Sequence, residues 1–170
     1  MNSRIRILTL NIGLRSDLAG LLTIISVHRV DLVMLQEVRL TDEQLNQQLG
    51  NHGFTGIVNI DAENPLSPGT ALAWKRTLPI KQVSTIVPCR VQHARLGSSS
   101  ILNIYAPSGS DKKLERGLFF ARDVFQAFSL GSHSWIMGGD FNCVLGQMDI
   151  ENGTGFNQKK VPAAFRYGDN

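Results

Sequence analysis

The chain has 170 residues, 42% of them hydrophobic, which suits a domain with its own core and excludes a disordered tail. The net charge of +3 is compatible with a polyanionic partner but does not require one. Cys89 and Cys143 lack zinc-type spacing, so free thiols are expected. The longest apolar stretch, residues 18–27, is well below the ~20 residues that span a bilayer, and the N-terminus does not resemble a signal peptide. We therefore expect one soluble, intracellular domain over residues 1–170, with no membrane partner.

Apolar periodicity predicts a strand, a helix and a second strand at the start of the chain. Residues 5–11 are apolar on both faces, which indicates a central strand covered on both sides. A helical stripe follows over residues 18–29, with Ser16 or Asp17 available as its cap. The next buried run, residues 32–35, stops at Gln36-Glu37, and the whole span is long enough for a parallel crossover.

The middle of the chain predicts a second helix and several strands. Thr41 and Gln44 form a capping box, and Gly50 is expected to end that helix. Residues 61–68 are expected to form a surface loop. The strands that we predict after this helix cover residues 52–58, 69–74, 83–87 and 92–96. The last two form either a hairpin or two edge strands, because Pro88 argues against a central position.

The last predicted elements are a strand at 101–105, an amphipathic helix and a strand at 134–137. The apolar stripe of that helix consists of Leu114, Leu118, Ala121, Phe125 and Phe128. Arg116 and Arg122 lie off this stripe. Periodicity fades after Asn142, and no repeat or linker is evident.

Polar groups end four of the predicted apolar strands: Asn11, Glu37, Tyr105, and Asp140 with Asn142. If the backbone stays extended beyond Gly138-Gly139, the side chains of Asp140 and Asn142 point to one side. Strand ends are often polar because they reach solvent, which is the simpler explanation for any one of these residues. Four such ends together favour a site built on a rigid scaffold.

The residue types in this set suit phosphodiester hydrolysis, which needs a hard cation, an oriented water and donors to the transition state. Mg²⁺ prefers oxygen ligands and keeps several waters, so one or two carboxylates suffice. Glu37 is the best candidate ligand, and Asp140 can bind the metal or orient the water. Asn11 and Asn142 can hold a phosphate oxygen or a water on the metal. The Tyr105 hydroxyl can donate to a phosphate, although a tyrosine on a core strand is more often packing.

Four motifs in this order resemble those of the endonuclease/exonuclease/phosphatase superfamily, which includes the apurinic/apyrimidinic endonucleases. They are Leu10-Asn-Ile12, Leu35-Gln-Glu37, Asn103-Ile-Tyr-Ala-Pro107 and Gly139-Asp-Phe-Asn142. Within the superfamily, the chain is most similar to the endonuclease domain of LINE-type, non-LTR retrotransposons. Residues 69–74 and the extension of the last motif to Leu145 add to this similarity.

The resemblance implies an α+β fold, a four-layer α/β/β/α sandwich. It also implies a magnesium-dependent nuclease, with Mn²⁺ as an alternative metal, that nicks DNA and leaves a 3′-hydroxyl to prime reverse transcription. By motif, Glu37 binds the metal with Asn11 and Asp140, and Tyr105 contacts the phosphate. Asp140 and Asn142 position the nucleophile and the phosphate. Asp149 is expected to be structural. DNA is the expected partner, no small-molecule cofactor is expected, and the location is expected to be nuclear.

One departure from the family concerns its late Ser-Asp-His motif, which these 170 residues lack. The four histidines do not match that position. We therefore expect the chain to correspond to the first two thirds of the domain, with the last strands missing and an exposed apolar edge.

Three interpretations stay open at this point. The chain is an endonuclease domain, a catalytically inactive fragment that at most binds DNA, or a phosphatase of the same fold. The surroundings of Gly69 and Tyr105 favour nucleic acid over a small phosphate ester. The missing motif favours an inactive fragment over an active enzyme, because residues in such sites act as a unit.

Overall fold

The computed structural model describes residues 4–64, 66–130 and 134–143. Contacts divide the chain into two compact units, Met1–Tyr105 with Ser132–Asp140, and Ala106–Gly131 with Phe141–Asn170. Whether the whole chain is a single domain stays a prediction. Asp149, His133 and the part of the last motif beyond Cys143 lie outside the described residues. No helix in the described ranges is long and apolar enough to cross a bilayer.

The first unit contains two four-stranded mixed sheets. The strands of the first sheet are β1 (Ile7–Asn11), β2 (Leu32–Val38), β3 (Phe54–Asn59) and β4 (Gly69–Lys75). They have the order β1-β2-β4-β3, with β1 parallel to β2 and the other pairs antiparallel. The strands of the second sheet are β5 (Ile80–Val87), β6 (Val91–Leu96), β7 (Ser99–Tyr105) and β8 (Ser134–Asp140). They have the order β5-β6-β7-β8, with β7 parallel to β8.

Two helices of the first unit, α1 (Ala19–His28) and α2 (Asp42–Gly50), cover one face of the first sheet. The predicted capping box of α2 is confirmed, since Thr41 and Gln44 exchange side-chain and backbone hydrogen bonds. Asp17 accepts from the Ala19 backbone N–H at the start of α1. The parallel β1–α1–β2 crossover is also confirmed.

Two apolar clusters lie on opposite faces of the first sheet. Val33 and Leu35 of β2 pack with helices α1 and α2, whereas Leu32 and Met34 pack towards the second sheet. The alternation along β2 therefore sorts its side chains between the helix layer and the space between the sheets. The predicted α+β fold is confirmed: the described residues form two mixed four-stranded sheets and three helices.

The prediction that the first strand is central is wrong for the described part of the chain. There β1 lies at the edge of its sheet, with β2 as its one neighbour, and Ile7 is 36% exposed. Apolar residues on both faces of a strand show that both faces are covered in part, but they carry no information about hydrogen bonding at its edges. The hairpin is confirmed: β5 is an edge strand and β6 is interior, with Pro88 in the turn between them.

The second unit contains α3 (Lys113–Leu118), which continues as a π-helical turn over Phe119–Val124 and ends in a 3₁₀ turn, Ala127–Leu130. The predicted apolar stripe is wrong here: Leu114 is 77% and Leu118 54% exposed, whereas Arg116 is buried. Leu114 and Leu118 precede the π turn, so the stripe already fails within α3, and the wider turn then changes the 3.6-residue period beyond Leu118. The Arg116 guanidinium instead donates to the carbonyls of Pro107, at 2.7 Å, and Gly109, at 3.2 Å.

Candidate active site

Four of the predicted site residues meet at one end of the two facing sheets. Asn11 ends β1, Glu37 is near the end of β2, and Tyr105 and Asp140 end the parallel strands β7 and β8. Tyr105 and Asp140 are register partners, as are Asn11 and Gln36. Each sheet therefore contributes the C-terminal ends of two neighbouring parallel strands.

A single amide group connects the acids of the two sheets. Asn11 Nδ2 donates to Glu37 Oε1 at 3.0 Å and to Asp140 Oδ2 at 2.9 Å. The other amide atom, Oδ1, accepts from the Gly13 backbone N–H at 2.9 Å, so the side chain is held at both ends. The two carboxylates consequently converge on one point, although 103 residues separate them in the sequence.

A β-bulge sets the direction of the Glu37 side chain. The pairing of β2 with β4 shifts between Gln36 and Val38, and Glu37 has a left-handed φ of 56°. Leu35 and Val38 both pack on the helix side of the sheet, which strict alternation would not allow. The extra residue re-aims the carboxylate. The Glu37 carbonyl accepts from Leu14 N–H at 3.1 Å, which ties the bulge to the loop after β1.

Tyr105 donates from its hydroxyl to Glu37 Oε1 at 3.3 Å and is 5% exposed. Burial raises the pKa of this phenol, and the neighbouring Glu37 carboxylate raises it further, while Arg90 opposes them. The Arg90 guanidinium lies 4.5 Å from the centre of the Tyr105 ring. A tyrosine phenol is ordinarily protonated at neutral pH, and the net rise in its pKa moves Tyr105 further in that direction, so the hydroxyl can act as a hydrogen-bond donor.

The two glycines before Asp140 let β8 approach its neighbours closely. A Cβ on Gly138 would lie 2.8 Å from Met34 Sδ of the facing sheet. Gly139 has a φ of 145°, and a Cβ there would overlap the backbone of Ile104 on β7. Gly138-Gly139 is therefore required for packing, and it brings Asp140 to the end of the sandwich.

Asn142 belongs to the second unit, where its Nδ2 donates to the Ala106 carbonyl at 2.8 Å. Its φ of 47° is left-handed, and β8 ends at Asp140. The backbone is therefore not extended from Asp140 to Asn142, and the prediction that their side chains point to one side because of strand alternation does not apply. The role of Asn142 stays a prediction.

Two buried amide side chains, to which the sequence alone assigns no role, support the site. Gln36 and Asn103 are 1% and 0% exposed, and Gln36 Nε2 donates to Asn103 Oδ1 at 2.7 Å across the two sheets. In the sequence, each is an amide within an apolar run: Gln36 directly precedes Glu37, and Asn103 is two residues before Tyr105. That signal alone does not identify the partner, which is 67 residues away.

The donor set fits a hard cation. Glu37 and Asp140 supply carboxylate oxygens within reach of one amide, and Mg²⁺ requires only one or two carboxylates besides water and substrate oxygens. In the described ranges, no group of three or more His, Cys, Asp or Glu side chains is arranged to hold a metal.

Solved structures with the same fold include an AP endonuclease from Archaeoglobus fulgidus, with a TM-score of 0.69 at 17% identity over 88% of this chain and 62% of that one. Humanized D. rerio TDP2 gives 0.61 at 17% identity, covering 82% of this chain and 63% of that one. The endonuclease domain of TRAS1, a telomere-specific non-LTR retrotransposon, gives 0.57 at 18% identity, covering 83% and 60%.

The chain thus spans 60% to 63% of the length of these three structures, and at such identities the likeness concerns the fold. No curated protein sequence matches this chain significantly. The family comparison is decisive, because one family model matches residues 8–159. This chain belongs to the endonuclease/exonuclease/phosphatase family.

Proposed function

We propose that this chain is the catalytic-site part of a divalent-metal-dependent phosphodiesterase, a DNA endonuclease that leaves a 3′-hydroxyl. The observation that carries the proposal is the convergence of Glu37 and Asp140, one from each sheet, on the Asn11 amide. Two carboxylates at one point favour a cation, and a cation there can face a phosphate group. The fold likeness to a retrotransposon endonuclease domain and an AP endonuclease supports DNA as the substrate and a retrotransposon origin.

In this proposal, Glu37 and Asp140 would hold Mg²⁺ or Mn²⁺, and Asn11 would assist by orienting both carboxylates through its Nδ2. The bound ion would supply Lewis-acid catalysis at the scissile phosphate. The protonated Tyr105 hydroxyl donates to a phosphate oxygen. Asp140 orients the attacking water. A chromosomal DNA substrate favours a nuclear location.

A second candidate is a protein that binds DNA without cleaving it. The observation that favours it is the absence of a Ser-Asp-His tripeptide from these 170 residues. The net charge of +3 supports binding to a polyanion in either case. We expect cleavage by this chain alone to be weak, because the members of such sites act together.

A plasmid-nicking assay with Mg²⁺ or Mn²⁺ tests the proposal. We expect nicking that Glu37→Gln and Asp140→Asn each reduce at least about 100-fold, since each removes a charge at the point where the site needs one. Glu43→Gln is the matched control, because Glu43 is an exposed acid on α2. That variant should nick at the rate of the parent.

Nicking that survives both substitutions would contradict the assignment of the site. Salt-sensitive DNA binding without metal-dependent nicking would instead support the second candidate. Ligation of the nicked product without further processing would demonstrate the 3′-hydroxyl.

A further inference from the structure

Two aligned rows of polar side chains face each other between the sheets, one or two residues before the site residues on the site strands. In the first sheet, Gln36 of β2 is the register partner of Thr70, which is the partner of Asn59. In the second sheet, Asn103 of β7 is the partner of Gln92, which is the partner of Thr85. We call these six residues the polar belt.

The belt joins the sheets by hydrogen bonds and is almost completely buried at its centre. Besides accepting from Gln36, Asn103 donates to the carbonyls of Leu35, at 3.0 Å, and Ala71, at 2.9 Å, in the facing sheet. At the other end of the belt, Thr85 donates to Asn59 Oδ1 at 3.0 Å. Between them, Gln92 Nε2 donates to the Ile57 carbonyl of the first sheet at 2.9 Å.

Stability alone does not explain buried amides at this position. A buried polar group costs free energy unless it is paired, and paired polar groups are often no better than apolar residues of similar volume. Amides differ from apolar side chains because their hydrogen bonds are directional, and such a bond between the sheets forms in only one relative position of the two sheets. An apolar contact tolerates sliding of one sheet over the other much better.

The belt adjoins every strand that carries a site residue. Gln36 directly precedes Glu37, and its Nε2 also donates to Thr9 of β1 at 3.2 Å, two residues before Asn11. Asn103 is two residues before Tyr105 on the same strand face. Its register partner on β8 is Gly138, two residues before Asp140.

We infer that the polar belt fixes the position of one sheet relative to the other, and that Gln36 and Asn103 are positioning residues for Glu37 and Asp140. They do not touch the proposed substrate or metal. They hold β2 against β7 so that Glu37 and Asp140 meet at Asn11. The inference deepens the proposed function, since its consequence for metal binding depends on that function.

The test compares Asn103→Leu and Gln36→Met with the parent chain. Mn²⁺ binding is measured from the electron paramagnetic resonance of the free ion. We expect each substitution to weaken Mn²⁺ binding about 10- to 100-fold, the usual effect of losing a group that supports metal ligands. Gln36→Met is the gentler variant, because it leaves the two Asn103 bonds to main-chain carbonyls in place, and it decides the question if Asn103→Leu fails to fold.

Asn46→Leu is the matched control. Asn46 of α2 also makes several hydrogen bonds to β3, including 2.9 Å to the Gly56 carbonyl and 3.0 Å from the Gly56 N–H. It lies outside the belt, on the helix-covered side of the first sheet. We expect a comparable loss of stability with unchanged Mn²⁺ affinity.

A second measurement, amide hydrogen exchange, does not require metal. Ile12 N–H bonds the Gln36 carbonyl at 3.0 Å and Leu14 N–H bonds the Glu37 carbonyl. Both belt variants should lower the protection of these two amides by more than their global loss of stability, and Asn46→Leu should not.

The outcomes separate this inference from the proposed function. Folded belt variants with parental protection at Ile12 and Leu14 would overturn the inference, as would an equal local effect of Asn46→Leu. If the parent binds no Mn²⁺, or Glu37→Gln leaves binding unchanged, the proposed function fails, and the exchange measurement still decides the role of the belt.

Discussion

The two halves of the space between the sheets differ in chemistry. At one end, buried apolar residues pack together: Leu32, Met34, Leu72, Trp74, Ala94 and Ile101. At the other end lie the polar belt and, beyond it, the site residues. The apolar residues and the centre of the polar belt are both buried, so burial alone does not distinguish them. The apolar half contributes stability through the area that it removes from water, whereas the polar half contributes direction through hydrogen bonds.

The comparison shows how one sandwich meets two demands. Apolar packing stabilises the fold but permits small shifts between the sheets. A site whose two acids come from different sheets does not tolerate such shifts, because a displacement of about 1 Å between catalytic groups lowers rates strongly. Directional bonds therefore lie next to the site, and apolar packing lies away from it.

The largest expected effect on stability comes from a substitution in the apolar half. Leu72 is fully buried on β4. Leu72→Ala should lower the free energy of unfolding by about 2–5 kcal/mol, from lost burial and the cavity that remains. Urea denaturation measures this change. Mn²⁺ affinity of the folded fraction should stay within about twofold of the parent, and a large drop in that affinity would contradict the division between the halves.

A smaller effect is expected from a substitution at the polar end, in the candidate site itself. Tyr105→Phe removes the hydroxyl that donates to Glu37 at 3.3 Å and keeps the ring under Arg90. We expect Mn²⁺-dependent nicking to fall about tenfold, equal to about 1.4 kcal/mol in transition-state stabilisation, from the loss of one donor. Stability should change by no more than about 1 kcal/mol. Unaltered nicking would show that the hydroxyl has no part in the reaction.

The smallest effect concerns the far end of the sandwich, where Asp31 precedes β2. Asp31 accepts from the Arg6 backbone N–H at 2.9 Å and pairs with Lys75 at 2.7 Å. Partial burial works to raise the pKa of this carboxyl, but the hydrogen bond and charge of Lys75 and the Arg6 N–H together hold it below its usual value.

A carboxyl with a lowered pKa in the folded state adds stability that is present above the unfolded pKa, about 3.9, and is lost as pH falls through the folded value. Asp31→Asn should therefore cost about 1 kcal/mol at pH 7, and the difference from the parent should shrink below about pH 4. Thermal unfolding between pH 3 and pH 7 measures it. A difference that is constant over this range would refute the charge-based explanation. Nicking should be unaffected at neutral pH.

The sequence by itself determined the features that depend on neighbours along the chain. Local spacing predicts three features that the structure contains: the Thr41–Gln44 capping box, the β1–α1–β2 crossover and the polar ends of the site strands. Periodicity and capping need only a few consecutive residues, so they can be read without knowledge of the tertiary structure.

Only the tertiary structure decided which side chains meet. The bulge that re-aims Glu37, the edge position of β1, the burial of Arg116 and the pairing of Gln36 with Asn103 are absent from any local pattern. Each depends on contacts with residues distant in sequence or on a departure from regular geometry. A positive φ or a bond across two sheets is tolerated because surrounding packing and hydrogen bonds stabilise it, and that packing exists only in the folded chain.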